Sequence, residues 1–449
     1  MIVFFYNKPN RHGFNALAGA LEADPFCKEL PVSFPTGEES LFRAINEALA
    51  EADRVLVGLS FMTPQLAAMK RLARRLKEEF ARRITLVAGG PHPTADPAGT
   101  LALGCDIVVR GEGEATFQEL VKQIFHSTQR AQRNAEGNHR KGLGVVSIGS
   151  SSVPSASSVL RIPCYAAIQG LAFRDESGAI RLTKPRPWID LDDYPPLAAG
   201  HHKVGAIEIT RGCPHACGFC QTSQLHGTRP RHRSVARLVE AVEWMSRNQL
   251  RDVRLLSPSA FSYGSPDGRR LNLAAIAELL SGLRRALGPH GRLFFGSFPS
   301  EARPEHVTPE TLELLRKYAS NNSILIGAQS GSDATLERCH RGHTMADVFA
   351  AASAALQAGF KVNVDFILGL PGETEPESDQ TAAALEKLAA LGARIHAHFF
   401  LPLPQTAFAG AKPSHPSKRL LATVYRLLGR GQLYGEWQAQ TAIAETAAD

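Results

Sequence analysis

The chain of 449 residues lacks any run of about 20 uninterrupted apolar residues, which a membrane-spanning helix would need. Its apolar start, residues 1–6, is too short for a signal peptide and has no basic leader. Its seven cysteines are an odd number, and three of them are clustered, which argues against a disulfide framework. The sequence therefore predicts a cytoplasmic protein whose clustered cysteines bind a metal.

Aromatic residues are also sparse, at 7% of the chain, and no stacking aromatics accompany its clusters of basic residues. The net charge of +7 is modest for this length. The basic residues of segment 70–77 alternate with apolar ones, as on an amphipathic helix with a solvated outer face. We therefore do not expect a nucleic-acid partner. A non-catalytic, metal-binding protein associated with nucleic acid remains the alternative from a different functional class.

The three clustered cysteines, Cys213, Cys217 and Cys220, follow a short apolar run that predicts a strand. Gly212, Pro214 and Gly218 supply turns that let thiolates so close in sequence reach one metal centre. A structural zinc site fits poorly because it needs four ligands, and only His215 lies nearby. An iron-sulfur cluster held by three thiolates would leave one iron open to another ligand. Structural zinc, or three thiols without a role, remain alternatives.

The pattern CxxxCxxC after a strand, with Phe219 directly before the last cysteine, resembles the signature of the radical S-adenosylmethionine (SAM) superfamily. The resemblance implies a 4Fe-4S cluster on Cys213, Cys217 and Cys220, with SAM chelated at the open iron. It also implies reductive cleavage of SAM to a 5'-deoxyadenosyl radical, which abstracts a hydrogen atom from the substrate. Phe219 is then a residue of the SAM site.

Residues 1–125 alternate apolar runs with helical patterns, which predicts an α/β domain with a doubly wound parallel sheet. Ligands of such sheets bind at the carboxyl ends of the strands, where this chain places glycines and short hydroxyls. The order of these loops resembles the cobalamin-binding domain that precedes many radical SAM domains. The resemblance implies cobalamin contacts from Ser60, Thr63, Gly89, Gly90, Gly111 and Gly113.

The Asp-x-His-x-x-Gly motif that supplies the lower ligand of cobalt in many cobalamin domains is missing from this loop. His12 stands in the corresponding loop, but Gly13 follows it directly. We therefore expect cobalamin to bind without a histidine ligand. Two alternatives remain: His12 as the lower ligand, and a degenerate domain that no longer binds cobalamin.

Composition and the spacing of apolar residues divide the rest of the chain into four segments. Residues 126–163 are polar, basic and rich in Ser, Gly and Pro, which predicts a flexible linker or insertion. Residues 164–200 contain a predicted hairpin and a connector. From 201 to 405 six strand-helix units predict a partial TIM barrel, the architecture of the radical SAM core. Residues 406–449 form a C-terminal helical extension.

Barrels of this kind carry their chemistry at the carboxyl ends of the strands, and the loops there resemble SAM-binding segments of the superfamily. The loop after the second barrel strand lacks the acidic residues that often hold the SAM amino group, so Ser257 or backbone carbonyls are expected instead. Arg341 could clamp the SAM carboxylate, or it could be a surface residue. The remaining contacts implied by the resemblance are Gln329, Ser330, Ile367, Gly369 and Pro371.

Two histidines end the sixth predicted strand. Strand alternation places His396 and His398 on one face, so both could point into the barrel and donate protons or orient the substrate. Interior histidines with only a structural role are the alternative.

The resemblance leads to cobalamin-dependent C-methylation of an unknown small-molecule or peptide substrate as the main functional hypothesis. An electron donor such as flavodoxin or ferredoxin is the implied partner. A cobalamin-free oxidation or rearrangement is the first alternative. Methylthiolation is disfavoured because the sequence has no second cluster of three cysteines.

Overall fold

The computed structural model of the chain describes residues 1–125 and 165–447. The predicted linker at 126–163 and Cys164 lie outside the described residues. The chain folds as two compact units, one of residues 1–62 and 66–189 and one of residues 63–65 and 190–449. The finer division into domains given above remains a prediction.

The strands and helices of the first unit alternate along the chain up to residue 125. Its strands are β1 (Ile2–Phe4), β2 (Val32–Ser33), β3 (Val55–Ser60), β4 (Ile84–Gly89), β5 (Ile107–Val109), β6 (Leu171–Arg174) and β7 (Ile180–Leu182). Its helices are α1 (Arg11–Ala23), α2 (Glu38–Glu51), α3 (Leu66–Phe80), α4 (Pro91–Ala95), α5 (Pro97–Ala102) and α6 (residues 113–125).

These strands form one sheet in the order β2-β1-β3-β4-β5-β6-β7. The first five are parallel because helical crossovers connect each of them to the next. The sequence predicted a parallel sheet here, but it did not predict β2 or α2. Strands β1 and β3 are neighbours whose crossovers run to opposite sides, which makes their carboxyl ends the switch point of a doubly wound sheet. Two apolar clusters cover the two faces of the sheet.

The predicted hairpin is present as β6 and β7, which pair antiparallel. β6 also pairs antiparallel with β5, so the hairpin extends the parallel sheet of the first unit. Leu171, Ala172 and Phe173 of β6 are buried and belong to the two apolar clusters that cover the sheet. The hairpin is therefore part of the N-terminal fold, which its sequence position after a long insertion did not indicate.

The second unit contains the remaining elements. Its strands are β8 (Ile207–Glu208), β9 (Thr210–Arg211), β10 (Arg231–His232), β11 (Asp252–Leu256), β12 (Arg292–Phe294), β13 (Ser323–Gln329), β14 (Lys361–Leu368), β15 (Arg394–Phe399) and β16 (Leu433–Tyr434). Its helices are α7 (Thr222–His226), α8 (Val235–Arg247), α9 (Leu273–Leu287), α10 (Pro309–Tyr318), α11 (Asp333–Arg338), α12 (Met345–Gln357), α13 (Glu375–Ala390), α14 (Lys418–Gly429) and α15 (Trp437–Ala447).

The six predicted barrel strands correspond to β8, β11, β12, β13, β14 and β15. They form two parallel sheets, β12-β11-β8 and β13-β14-β15-β16. A parallel bridge between Ala302 and Ile326 joins the segment after β12 to β13. β16 adds a seventh strand that was not predicted, and pairs with the start of β15.

Strand alternation separates the two surfaces of the barrel wall. On β14, Val362, Val364, Phe366 and Leu368 belong to the apolar core that the outer helices cover. Asn363, Asp365 and Ile367 alternate with them and therefore face the interior of the barrel. The same alternation on β15 places His396 and His398 in the interior, which confirms that they share a face. The interior of this barrel is thus lined partly by polar side chains.

Within the described ranges, no helix combines the length and the apolar character needed to cross a membrane.

The end of β13 is fixed tightly against α13 through Gly331. The Gly331 N–H donates to Thr381 Oγ1 at 3.0 Å, and a Cβ on Gly331 would lie 2.3 Å from the Thr381 Cα. We expect Gly331→Ala to lower the free energy of unfolding by about 1–3 kcal/mol, because the clash is with backbone. The measurement is urea unfolding followed by circular dichroism.

Gly429→Ala is the matched control. Gly429 ends α14, and a Cβ there would meet nothing within 4 Å. This change should leave stability within about 1 kcal/mol of wild type. Equal stabilities of the two variants would contradict the assigned packing of β13 on α13.

Candidate functional site

The cysteine loop begins at the end of β9 and is packed too closely for side chains at two glycines. Gly212 has φ +87°, and a Cβ on it would lie 2.3 Å from the Arg229 carbonyl oxygen. A Cβ on Gly218, between the second and third cysteines, would lie 2.7 Å from the Phe408 ring. The Gly218 N–H also donates to the Cys339 carbonyl oxygen. These contacts fix the backbone that carries the three thiols.

The spacing of the three thiols tests which metal centre they suit. Burial raises the pKa of both Cys213 and Cys220, and the neighbouring thiols of the loop raise them further. In the described part of the chain, the three sulfurs do not all lie within 4.8 Å of one another, and including His215 does not give such a group of three either. One tetrahedral zinc would hold its sulfurs about 3.8 Å apart. The loop therefore fits a larger cluster better than a single zinc ion.

Arg341 is buried beside the cysteine loop, so the alternative that it is a surface residue is wrong. Its Nη1 donates to Cys217 Sγ at 3.6 Å, and its Nη2 donates to the Gly327 carbonyl oxygen at 2.7 Å. Its Nε is buried and has no hydrogen-bond partner in the described residues. The guanidinium lies 6.0 Å from the centre of the Phe219 ring. Arg341 thus joins the loop to β13 and retains one N–H for a bound group.

Glu301 supplies the carboxylate that the loop after β11 lacks. It follows β12, and its Oε1 lies 3.8 Å from Arg341 Nη2. Its Oε2 accepts a hydrogen bond from Gln329 Nε2 at 3.2 Å. Burial raises the pKa of Glu301, and Arg341 opposes that shift. Gln329 occupies a bulge of β13 with φ +80°, a backbone conformation that non-glycine residues rarely adopt.

Two serines expected in the SAM site make their hydrogen bonds elsewhere. The Ser257 hydroxyl donates to the Ser259 carbonyl oxygen at 2.8 Å. Ser330 is fully buried, and its hydroxyl lies 3.4 Å from Thr381 Oγ1 on α13. The structure therefore brings Gln329 beside Glu301 and Arg341, while the Ser330 side chain turns toward α13.

An apolar wall adjoins the cysteine loop. Cys339, Leu370 and Phe400 form its buried part, and Phe219, Ile367 and Phe408 pack against them. Gly369 follows β14 with φ +73°, and a Cβ there would lie 2.9 Å from the Phe399 ring. Pro371 lies two residues further along this loop. The loop after β14 thus lies against the apolar wall beside the cysteine loop.

In the first unit, the residues expected to contact cobalamin lie after successive strands. Ser60 ends β3 and pairs with Gly89 at the end of β4. Gly90 has φ +94°, and a Cβ on it would lie 2.8 Å from Ser60 Oγ. The next loop follows β5 and carries Gly111 and Gly113. Thr63 lies in a 3-10 turn that groups with the second unit.

Asn10 shows an unsatisfied group at this edge of the sheet. It lies between β1 and α1, is 5% exposed, and its Nδ2 has no hydrogen-bond partner in the described residues. A buried amide without a partner is costly unless a ligand or water satisfies it. With the glycines above, it fits a large polar ligand at the β1/β3 switch point. His12 lies in the exposed first turn of α1.

Sequence reasoning missed two acidic residues of the second unit. Glu301 lies after the third predicted strand, a segment for which the sequence analysis gives no site residue. Searching the segment after every barrel strand would have found it. Asp365 was not predicted as a site residue, yet it faces His396 across the β14/β15 pair. That pairing depends on register, which the sequence does not state.

Comparisons with known proteins agree with this arrangement. The Radical SAM superfamily profile matches residues 207–385, and the B12 binding domain profile matches residues 5–121. An uncharacterized protein of Methanopyrus kandleri is 27% identical over 91% of this chain and 75% of its own length. An uncharacterized methyltransferase of Pyrococcus horikoshii is 25% identical over 78% of this chain and 68% of its own length.

A solved structure has a similar fold. The radical SAM methyltransferase TsrM from Kitasatospora setae, with cobalamin and a [4Fe-4S] cluster bound, aligns with a TM-score of 0.62. The match covers 91% of this chain and 76% of that one, at 18% identity. This identity is low enough that the likeness supports the fold alone.

The loop after β14 contains a carboxyl group with a raised pKa. Burial raises the pKa of Glu373 from 4.5 to about 7. The proton is held more tightly in the folded chain, so this group should cost stability as pH rises through that interval. We expect Glu373→Gln to match wild type near pH 4 and to exceed its free energy of unfolding at pH 8 by about 1–3 kcal/mol. Urea unfolding at both pH values measures this.

Glu377 is the control, because its pKa is shifted in the opposite direction to that of Glu373. Hydrogen bonds from Arg338 lower the pKa of Glu377 to about 2, and Arg338 Nη1 lies 2.8 Å from its Oε1. Glu377→Gln should therefore lower stability at pH 7 and above. If both glutamine variants shifted stability in the same direction at pH 8, the assigned environments would be wrong.

Proposed function

We propose that this chain, which carries a B12-binding domain and a radical SAM domain, is an enzyme that cleaves SAM and methylates carbon with the help of cobalamin. The substrate is an unidentified small molecule or peptide. The observation that carries the proposal is the arrangement of three thiols beside Arg341, Glu301 and Gln329 at the carboxyl ends of parallel barrel strands.

When bound, the cofactors supply the difficult chemistry: the cluster and SAM provide a one-electron cleavage, and cobalamin provides a methyl group. The residues of the chain bind and position them. Cys213, Cys217 and Cys220 would hold the cluster. The free Nε of Arg341 would meet the SAM carboxylate, and Glu301, which the sequence did not predict, would accept from the amino group or the ribose. Burial of Arg341 makes this charge contact stronger than at a surface.

The proposed SAM site includes further residues of the apolar wall. Phe219, Ile367, Gly369 and Pro371 would enclose adenine and exclude water. The Gln329 amide donates one N–H to Glu301, which orients it, and its second N–H would donate to the ribose. We retain Ser257 only through its backbone, and we no longer favour the Ser330 side chain, because both hydroxyls are engaged elsewhere.

In the first unit, we propose Ser60, Gly89, Gly90, Gly111 and Gly113 as the cobalamin contacts. The unsatisfied amide of Asn10 supports a ligand at this edge. The inclusion of Thr63 rests only on its position after β3. A histidine ligand to cobalt is not part of the proposal.

We propose His396 and His398 as the catalytic residues that bind and orient the substrate, because both face the barrel interior. An enzyme of this class needs a reductant, and a flavodoxin or ferredoxin is the proposed donor. A cytoplasmic location is proposed because clustered thiols and a reduced cluster require a reducing compartment.

The SAM-cleavage step is tested with cysteine variants. Anaerobically reconstituted wild type should hold about four irons per chain and, with SAM and dithionite, form 5'-deoxyadenosine. Cys217→Ala should lose both iron and product, because the cluster then lacks one of its three thiolates. Iron content and chromatography of the nucleoside products are the measurements.

Cys105→Ala is the control, since Cys105 is buried in the core of the first unit and is not one of the proposed ligands. It should retain iron and SAM cleavage. Zinc in place of iron, or SAM left intact by an iron-loaded protein, would reject the proposed function.

Cobalamin binding is tested separately at the β1/β3 switch point. Ser60→Phe should reduce hydroxocobalamin affinity at least tenfold, because a ring there would occupy the space beside Gly90, while iron content stays unchanged. His12→Ala should bind cobalamin as wild type does. Titration of the corrinoid absorption spectrum measures both, and an unchanged spectrum with wild type would indicate the cobalamin-free alternative.

A further inference from the structure

Three polar side chains in the barrel interior lie close together, and the cofactor sites described above do not include this group as a whole. Asp365 of β14 pairs with His396 of β15, and Ile367 pairs with His398. One ligand atom from each of Asp365, His396 and His398 lies within 4.8 Å of the other two. The two imidazole rings meet edge to face, with centroids 4.2 Å apart.

The contacts of His396 fix which of its nitrogens carries the proton. Its Nδ1 lies 2.8 Å from Asp365 Oδ1, and an ionised carboxylate only accepts hydrogen bonds. The ring is also stacked on Tyr434, with centroids 4.7 Å apart, which fixes its plane. Nδ1 therefore donates to Asp365, which leaves Nε2 as the nitrogen that accepts a hydrogen bond when the ring carries one proton.

Gln440 fixes the tautomer of His398, which is the opposite of the His396 tautomer. The Phe399 N–H donates to Gln440 Oε1 at 2.7 Å, which identifies the oxygen of that amide. The amide nitrogen then faces His398 Nδ1 at 3.4 Å, so Nδ1 accepts. Burial lowers the pKa of His398, which favours its neutral form. In that form the proton is on Nε2, which is a donor.

His396 thus presents an acceptor at Nε2 and His398 presents a donor at Nε2, on rings whose centroids are 4.2 Å apart, and the described residues supply a hydrogen bond to neither. A divalent metal fits less well, because His398 Nε2 carries a proton that Gln440 keeps there. A carboxylate also fits poorly, since its oxygens cannot donate to His396. A trans peptide bond directs its N–H and C=O to opposite sides. A primary carboxamide or a lactam presents both groups on one edge.

We propose that His396 and His398 form a two-point site for a carboxamide or lactam edge of the substrate. The substrate N–H donates to His396 Nε2, and the substrate carbonyl oxygen accepts from His398 Nε2. Asp365 and Gln440 are positioning residues that set the two tautomers. This inference rests on the proposed function only in treating the barrel interior as the substrate site.

Two isosteric variants change which Nε2 atom donates and which accepts, without removing either histidine. Asp365→Asn can donate to His396 Nδ1, which moves the proton to Nε2 and gives two donors. Gln440→Glu can accept from His398 Nδ1 while keeping the bond from Phe399, which gives two acceptors. Both variants should preserve the ring positions.

The first measurement is nitrogen-15 NMR of the full, cluster-loaded chain labelled at histidine, with the two residues assigned through His396→Gln and His398→Gln. Wild type should show the proton of His396 on Nδ1 and that of His398 on Nε2. Asp365→Asn should move the His396 proton to Nε2, and Gln440→Glu should move the His398 proton to Nδ1. Any other wild-type pattern would overturn the proposal.

The second measurement is the binding of δ-valerolactam and of its N-methyl derivative, followed through the same resonances. Wild type should bind the lactam at least tenfold more tightly than the N-methyl compound, and each variant should lose that preference, because one hydrogen bond becomes a clash of like groups. Equal binding of both compounds would overturn the proposal. So would a metal site at the histidines: one metal per chain in the triple variant Cys213→Ala, Cys217→Ala, Cys220→Ala, lost when Asp365→Asn is added.

The two proposals fail separately. Correct tautomers and lactam preference without SAM cleavage would reject the proposed function alone. SAM cleavage with incorrect tautomers would reject the two-point site alone.

Discussion

One buried guanidinium joins the parts of the second unit that matter for chemistry. Arg341 contacts the cysteine loop through Cys217 and the end of β13 through Gly327, and it lies 3.8 Å from Glu301 after β12. A charge removed from water is costly unless each of its hydrogen bonds is made. The loop, the strand end and the carboxylate therefore depend on one another, because displacing any of them removes one of the contacts that offset the burial of this charge.

Parallel strands explain why these parts meet at all. Each barrel strand is followed by a helix that returns the chain to the starting edge, so loops far apart in sequence converge at the carboxyl edge. The same constraint acts in the first unit, where Ser60, Gly89 and Gly111 follow three different strands. In both units most candidate site residues lie at the carboxyl ends of strands or in the loops that follow, and Asp365, His396 and His398 are exceptions that lie within strands.

That constraint also decides what the sequence could predict. The apolar runs and helical patterns predicted that strands and helices alternate along the chain, although β2 and α2 were not predicted. The cysteine spacing predicted a loop rich in turns after a strand. Both predictions depend on local sequence alone. Glu301 could have been found by the same rule. The partnership of Asp365 with His396, and of Gln440 with His398, could not, because each depends on register or on packing of a helix from the end of the chain. The β5/β6 pairing is a similar case, since a long insertion separates the two strands.

Gln329 shows what such a site demands of a single position. Its backbone has φ +80°, which costs about 1–3 kcal/mol for a residue with a side chain, and its amide nevertheless must reach Glu301. Glycine would relieve the backbone but lose the amide, glutamate would place a second carboxylate beside the first, and β-branched residues would strain the bulge further. The position therefore has a narrow mutational tolerance set by conformation and chemistry together, and variation among homologous chains should be smaller there than at the buried apolar residues of the same strand.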